Sequence, residues 1–282
     1  MPADDRPFEL EPETYDALID WPRRLANEEP FYRRVFAEVG VQSVLDVACG
    51  TGRHAAMFHA WGLRVQGADA EPTMIDYCRR AHGESARLQW VVRSFDQAAT
   101  PGEHDRPQPV PGSFDQAATP GDFDAVVCVG NSLALAGDLQ AVRRAVAAML
   151  ASLRPGGVCI VQVLNLRALP EGPVQWQKCK ALPAATGERV LLKGVHRVGD
   201  RGHISFVDLR LTGGELTWTS HAATFCGLRA ADLQDAATVA GGCDAQCYGS
   251  FRGEAHDPAS SSDLILVCRR RANPTVGAAQ SP

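Results

Sequence analysis

The segment VLDVACGTG, at residues 44–52, joins a short apolar run to a glycine-rich turn, and the residues after it have a helical pattern. Glycines at positions 50 and 52 let the backbone approach a ligand closely, and free N–H groups at a helix start can receive polar ligand atoms. Asp69 ends the next apolar run, where a carboxylate can accept both ribose hydroxyls of an adenosine. This spacing predicts a site for an adenosine-containing cofactor.

Two cofactor classes fit the glycine turn. Residues 50–55 also match the dinucleotide pattern G-x-G-x-x-G/A, so a NAD(P)-dependent oxidoreductase stays open on this motif alone. Other features favour S-adenosylmethionine (SAM). Asp46, four residues before Gly50, could meet the cationic amino group of a methionine moiety, and Asp96 closes the third apolar run within reach of an adenine. The segment LRPGG, at residues 153–157, precedes the fifth run.

The elements that must position these residues alternate along the chain. Apolar runs predict strands at 43–52, 63–70, 88–96, 123–133 and 158–165, with helices between them. Such alternation is typical of a parallel sheet with helices on both faces. The first 40 residues have a helical pattern that Pro30 is expected to break. Three alternating runs within 188–226 predict an antiparallel meander, and a helix at 228–240 precedes two last strands near 244–251 and 263–269.

The predicted fold is therefore an α/β, Rossmann-like, seven-stranded and mostly parallel sheet with a small antiparallel β insertion. The predicted parts are an N-terminal helical cap, a SAM-binding core, a substrate-cap insertion, the C-terminal part of the core sheet and a disordered tail: 1–40, 41–170, 171–226, 227–271 and 272–282. The sequence SFDQAATPG occurs at 94–102 and again at 113–121, which indicates a tandem duplication within one loop of the core.

Composition narrows the function classes. The 282 residues carry a formal net charge of −5, which gives no support for nucleic acid or an anionic membrane as a partner. No apolar stretch approaches the ~20 residues of a membrane span. We therefore expect a cytoplasmic protein whose nine cysteines are free thiols and which holds no metal. The expected partner is a small-molecule acceptor, and the oligomeric state stays open.

The sequence resembles the class I SAM-dependent methyltransferases, and within them the glycine N-methyltransferase-like branch. The resemblance covers roughly residues 10–170 and is carried by VLDVACGTG, FDAVVCVGNSL (123–133), LRPGG and Asn165. It implies SAM as cofactor and a final antiparallel strand in the sheet, which the region 244–269 would supply as a hairpin.

The resemblance also implies roles for individual residues. Ala48, Gly50 and Gly52 would line the SAM site, with Asp69 on the ribose and Asp96 near the adenine. Asp115 has the same neighbours as Asp96 and stays an alternative. The remaining implied contacts are Met74 against the adenine, Val129 near the sulfonium, Arg24 with the methionine carboxylate and Asn131 beside the substrate amine.

The acceptor is less defined than the cofactor. Leu164 stands where the family has an arginine for the glycine carboxylate, although Arg167 could reach the same space. Methyl transfer needs a collinear nucleophile, and a base if the acceptor is protonated or a hydroxyl. Base candidates are His196, His203, His221 and Tyr248, and the predicted catalytic residues are Asn131 and His221. An amine nitrogen is the favoured acceptor, with O-methylation or a non-catalytic SAM-binding role as alternatives.

Overall fold

The computed structural model describes residues 11–94, 121–182, 184 and 186–272. Most of the duplicated segment, with Asp96 and Asp115, lies outside these residues, as does the chain from 273 onward. No helix in the described ranges is long and apolar enough to cross a membrane.

A seven-stranded sheet with the order β10-β11-β5-β4-β1-β2-β3 forms the centre of the molecule. Strands β1 to β5 pair in parallel, and β11 lies antiparallel between β5 and β10. The predicted fold class is confirmed. The strands are β1 (Ser43–Val47), β2 (Arg64–Asp69), β3 (Leu88–Val92), β4 (Phe123–Cys128), β5 (Leu153–Leu164), β10 (Gly242–Tyr248) and β11 (Asp263–Arg270).

Helices cover both faces of this sheet because its central strands are apolar on both sides. One face packs on α5 and α6, and the other packs on α2, α3 and α4. All five residues of β1 are buried, as expected for a central parallel strand. The helices are α1 (Pro12–Leu18), α2 (Trp21–Val39), α3 (Arg53–Ala60), α4 (Pro72–His82), α5 (Leu139–Ser152) and α6 (Ala230–Val239).

The predicted break at Pro30 is wrong, because α2 runs through Pro30 without interruption. Proline removes one backbone hydrogen bond from the helix. The loss is offset by a buried aromatic seam that follows at once, formed by Phe31, Tyr32 and Phe36. The helix begins after Asp20, whose side chain accepts the Arg23 N–H, and ends at Gly40 in the left-handed conformation.

The insertion is a separate four-stranded antiparallel sheet with the order β6-β7-β8-β9. Its strands are β6 (Gln175–Leu182), β7 (Glu188–Val198), β8 (Arg201–Thr212) and β9 (Glu215–Cys226). The sequence predicted the last three and missed β6, an exposed strand of mostly polar residues. One face of the sheet packs on α1 through a cluster of Leu18, Leu191 and Phe206.

Candidate active site

The glycine turn follows β1 and needs glycine for two physical reasons. Gly50 and Gly52 both have positive φ, at 54° and 74°, which side chains disfavour. A Cβ on Gly52 would also lie 2.6 Å from the ring of Trp90. Trp90 is almost fully buried beneath the turn, so the turn packs directly on the core. Ala48 also has positive φ, at 56°, just after the strand ends.

Asp69 closes β2 beside this turn, and backbone groups hold its carboxylate in place. The Gly50 N–H donates to Oδ2 at 2.8 Å, and the Glu71 N–H donates to Oδ1 at 3.0 Å. Burial raises the pKa of Asp69, and these hydrogen bonds oppose that rise. Each carboxylate oxygen keeps a second lone pair, so a fixed Asp69 can still accept ligand hydroxyls.

Asp46 lies inside β1 and is almost completely buried. Its Oδ2 is a buried atom without a hydrogen-bond partner. Burial raises the pKa of Asp46 to about 8, against the Ala55 N–H bond and with a further contribution from the charge of Asp69. A buried acid of this kind gains strongly from a cationic partner. The orphaned oxygen therefore fits the ammonium of a methionine moiety.

Asp16, on α1, fastens the N-terminal cap to the glycine turn. Its carboxylate accepts the Thr51 hydroxyl at 2.6 Å, the Tyr77 hydroxyl at 2.9 Å and the Arg53 guanidinium. Burial alone would raise the pKa of Asp16, but these three partners lower it. The neighbouring Tyr15 lies over the turn, with its ring 3.9 Å from the point that a Cβ on Gly50 would occupy.

Arg24 belongs to a buried charge network on α2. Its Nε donates to Glu28 at 2.7 Å, and the other Glu28 oxygen lies 2.7 Å from His54 Nε2. Burial would raise the pKa of Glu28, whereas His54 and Arg24 lower it. The Nη2 of Arg24 lies 3.9 Å from the position of a Cβ on Gly130, so the guanidinium reaches the end of β4.

The end of β4 is tied to β5 by side-chain amides. Asn131 has a φ of 68°, and its Oδ1 accepts the Leu164 N–H at 2.9 Å. Gln162 accepts the Gly130 N–H at 2.7 Å. Val129 is buried directly before this turn. Asn131 therefore has a structural task as well as its predicted contact with the amine.

The structure brings most of the predicted cofactor residues, and the predicted catalytic residue Asn131, together at one edge of the sheet. Those at the carboxyl ends of β1, β2 and β4, with the helices over them, are Arg24, Asp46, Ala48, Gly50, Gly52, Asp69, Val129 and Asn131. Met74 is half-buried in the first turn of α4. Asp96 lies outside the described residues. His221 is exposed on β9, the edge strand of the insertion, apart from this group.

Arg167, the arginine predicted for the acceptor, already has an ionic partner. Arg167 pairs with Asp200 at 2.9 Å beside a surface cavity of about 440 Å³ at the end of β5. Trp176 and Trp218 are 58% and 65% exposed on the insertion. Phe225 is buried in the core under Gly202. These three rings therefore do not form one pocket.

Sequence reasoning missed Asp16, Glu28 and Lys193. Asp16 and Glu28 lie in helices with no motif, and only the fold brings them to the turn. Lys193 did carry a signal, because it interrupts the apolar alternation of RVLLKGVHRV between Leu191 and Val195.

Comparisons with known proteins show which proteins have a sequence similar to this one. Residues 44–157 match the model of a methyltransferase domain family. The resemblance to methyltransferases that the sequence predicts is confirmed over these residues. The glycine/sarcosine N-methyltransferase of Parasynechococcus marenigrum (strain WH8102) is 32% identical over 158 residues, which are 56% of this chain and 50% of that protein. The rat glycine N-methyltransferase is 29% identical over 155 residues, 50% of this chain and 47% of that protein. The chain thus spans about half the length of the curated relatives it matches.

Solved structures extend the similarity of fold to the insertion. A sugar N-methyltransferase from Streptoalloteichus sp. ATCC 53650 superposes with a TM-score of 0.72 at 23% identity, covering 96% of both chains. An amino pentose methyltransferase from Micromonospora echinaspora has a TM-score of 0.65 at 21% identity, covering 95% of this chain and 99% of that one. At these identities the comparison concerns the fold alone.

Proposed function

We propose that this protein transfers the methyl group of SAM to an amine nitrogen of a small molecule in the cytoplasm. The observation that carries the proposal is the pair of carboxylates around the glycine turn. Asp69 is held by the Gly50 N–H, and Asp46 presents an oxygen without a partner a few residues earlier. A ligand that offers vicinal hydroxyls and an ammonium satisfies both groups.

SAM fits this donor set through separate residues. Asp69 would accept the ribose hydroxyls, Asp46 would meet the methionine ammonium, and Arg24 would face the methionine carboxylate near Gly130. Met74, in the first turn of α4, would pack on the adenine, and Asp96, or Asp115 as the alternative, would meet the adenine amino group. When bound, SAM supplies an electrophilic methyl group, so the chain's task is to hold the acceptor in line and exclude water.

Nitrogen is favoured over oxygen as the acceptor atom by the N-methyltransferases among the relatives and by the residues Gly130–Ser132 at the end of β4. Asn131 would contact the acceptor amine there, whereas His221, the base predicted from the sequence, is exposed on β9. The nine free thiols suit a reducing compartment, which supports the cytoplasmic location.

The test is isothermal titration of S-adenosylhomocysteine (SAH) into the wild type and Asp69→Ala. Loss of the carboxylate should weaken binding by about 100-fold, because two charge-assisted hydrogen bonds disappear. Asp76→Ala, an exposed carboxylate on α4, is the matched control and should bind like the wild type.

The acceptor is then sought with SAM carrying a labelled methyl group and panels of small amines and hydroxylated metabolites. Label on nitrogen supports the proposal, whereas label only on oxygen would assign O-methylation. A folded wild type that binds no SAH would refute the methyltransferase proposal.

A further inference from the structure

Lys193 occupies a half-buried position in the inner face of the insertion. It lies in β7 between Leu191 and Val195, which are 3% and 2% exposed and point to the same side of the sheet. Its register partner on β8 is Phe206, whose ring centre lies 5.9 Å from Nζ. A lysine in such a row costs desolvation free energy, so its presence needs a reason beyond packing.

The surroundings of Lys193 make its charge costly. Among the described residues, no carboxylate lies within ion-pair distance of Nζ. The nearby charged groups are Arg24 from α2 and Lys178 from β6, and both are cationic. Asp208, on the same face of β8, is already held by Arg189 and Arg210. Burial first, then Arg24 and Lys178, lower the pKa of Lys193 to about 8.

The position of Lys193 relative to the cofactor residues follows from α1. Leu18 on α1 packs on Leu191 and Phe206, the neighbours of Lys193 on the same face of the insertion, and Tyr15 on that helix lies over the glycine turn. Lys193 thus lies on the face of the insertion that packs on the helix over the glycine turn, and the nearby Arg24 reaches Gly130 at the end of β4. His221 belongs to the same cross-strand row, beyond Phe206, but is exposed.

We propose that Lys193 is the base that removes a proton from the acceptor's ammonium group before methyl transfer, an inference that rests on the proposed function. The acceptor N–H bond breaks, its electron pair stays on nitrogen, and the proton goes to Nζ of Lys193. That pair then forms the bond to the methyl carbon while the carbon–sulfur bond breaks and leaves its electrons on sulfur. Nζ afterwards gives its proton to water.

A base that titrates near the working pH suits this step, because the neutral amine is populated and its conjugate acid is easily discharged. The cationic neighbours have a second effect. They disfavour two adjacent ammonium groups, so an acceptor entering as a cation is driven to lose its proton at this point.

Lys193→Met and Lys193→Arg test the proposal, with the exposed Lys180→Met on β6 as the matched control. Both Lys193 variants should lose about 100-fold in kcat at pH 7.5, and the loss should shrink at high pH as the acceptor deprotonates in solution. SAH affinity should stay within about threefold of the wild type, which also shows that the variants fold. Lys180→Met should match the wild type throughout.

The arginine variant separates a base from a charge anchor, since arginine keeps the charge but cannot accept a proton. Full kcat in Lys193→Arg, or a change confined to KM in Lys193→Met, would overturn the proposal. Competitive labelling of lysine amines with an isotopic anhydride between pH 6 and 11, read by mass spectrometry, measures the titration of Lys193 without any acceptor. A midpoint near 8 is expected, and a midpoint equal to that of Lys180 would also overturn it.

These measurements distinguish failure of the proposed role of Lys193 from failure of the proposed function. If the wild type binds SAH and methylates an amine while the Lys193 variants behave normally, only the role of Lys193 falls. If the wild type methylates no amine, the proposed function falls, and the role of Lys193 falls with it.

Discussion

The two sheets of this protein treat polar side chains in opposite ways. At the carboxyl edge of the seven-stranded sheet, Asp46 is buried, and Asp16 and Asp69 are half-buried and oriented by backbone or side-chain donors. In the four-stranded sheet, most of β9 is exposed, and its polar groups face solvent. A rigid edge suits a ligand of fixed chemistry such as SAM, whereas an exposed sheet can vary with the acceptor.

The largest effect is expected at the rigid edge, from Asp46→Asn. Removal of the anionic partner of the methionine ammonium should weaken SAH binding by about 100-fold. The same change should stabilise the empty protein at pH 7. Burial raises the pKa of Asp46 to about 8 in the folded protein, whereas the unfolded chain ionises at its ordinary, lower pKa. The free energy of unfolding therefore decreases as pH rises from the unfolded pKa to about 8, and asparagine removes this loss. We expect Tm to rise by about 3 °C, and a fall in Tm would contradict this account.

Proton release gives an independent check on Asp46. Below pH 8 its carboxyl is mostly protonated, so binding an ammonium there must expel a proton, and SAH affinity should rise with pH up to about 8. Titrations at pH 7 in two buffers of different ionisation enthalpy measure this release. Equal heats in both buffers would show that Asp46 does not change its protonation on binding.

A smaller effect is expected from Asp16→Ala, which detaches the cap from the edge without removing a cofactor contact. SAH affinity should fall by about 10-fold, because the cap no longer covers the turn. The free energy of unfolding should fall as well. Because the pKa of Asp16 is lowered, its contribution is complete above the unfolded pKa and disappears as pH falls through the folded pKa, so the variant and the wild type should converge in acid. Glu13→Ala, an exposed carboxylate on α1, is the matched control. Equal behaviour of the two variants in thermal melts and titrations would contradict the role of Asp16 in fastening α1 to the glycine turn.

The smallest effect is expected on the exposed sheet, from Trp218→Thr. The ring is 65% exposed, so SAH affinity should stay within about twofold and the free energy of unfolding within about 0.5 kcal/mol. Titration and denaturant unfolding measure both quantities. A large loss of SAH affinity or of unfolding free energy would show that the outer face of the insertion contributes to binding or stability. The proposed difference between the two sheets would then be wrong.

The difference between the two sheets also explains which residues and elements could be predicted from the sequence. The edge is encoded locally, by a glycine turn and by carboxylates at or next to the ends of β1 and β2, so the sequence predicts Asp46, Gly50 and Asp69 as one group. Asp16 could not be found, because its partners Thr51 and Tyr77 are 35 and 61 positions away and no motif joins them. The helix break predicted at Pro30 is wrong because the packing of the aromatic residues that follow it outweighs the low helix propensity of proline. β6 was missed because an exposed strand carries no apolar alternation.

The contacts of Asp16 also have a consequence for the order in which substrates bind and products leave. A single carboxylate joins α1 to the glycine turn, to α3 and to α4, and Tyr15 on the same helix covers the turn. Cofactor entry and exit therefore require α1 to detach, while an acceptor approaching from the insertion does not. We expect compulsory-order kinetics, in which SAM binds first and SAH leaves last.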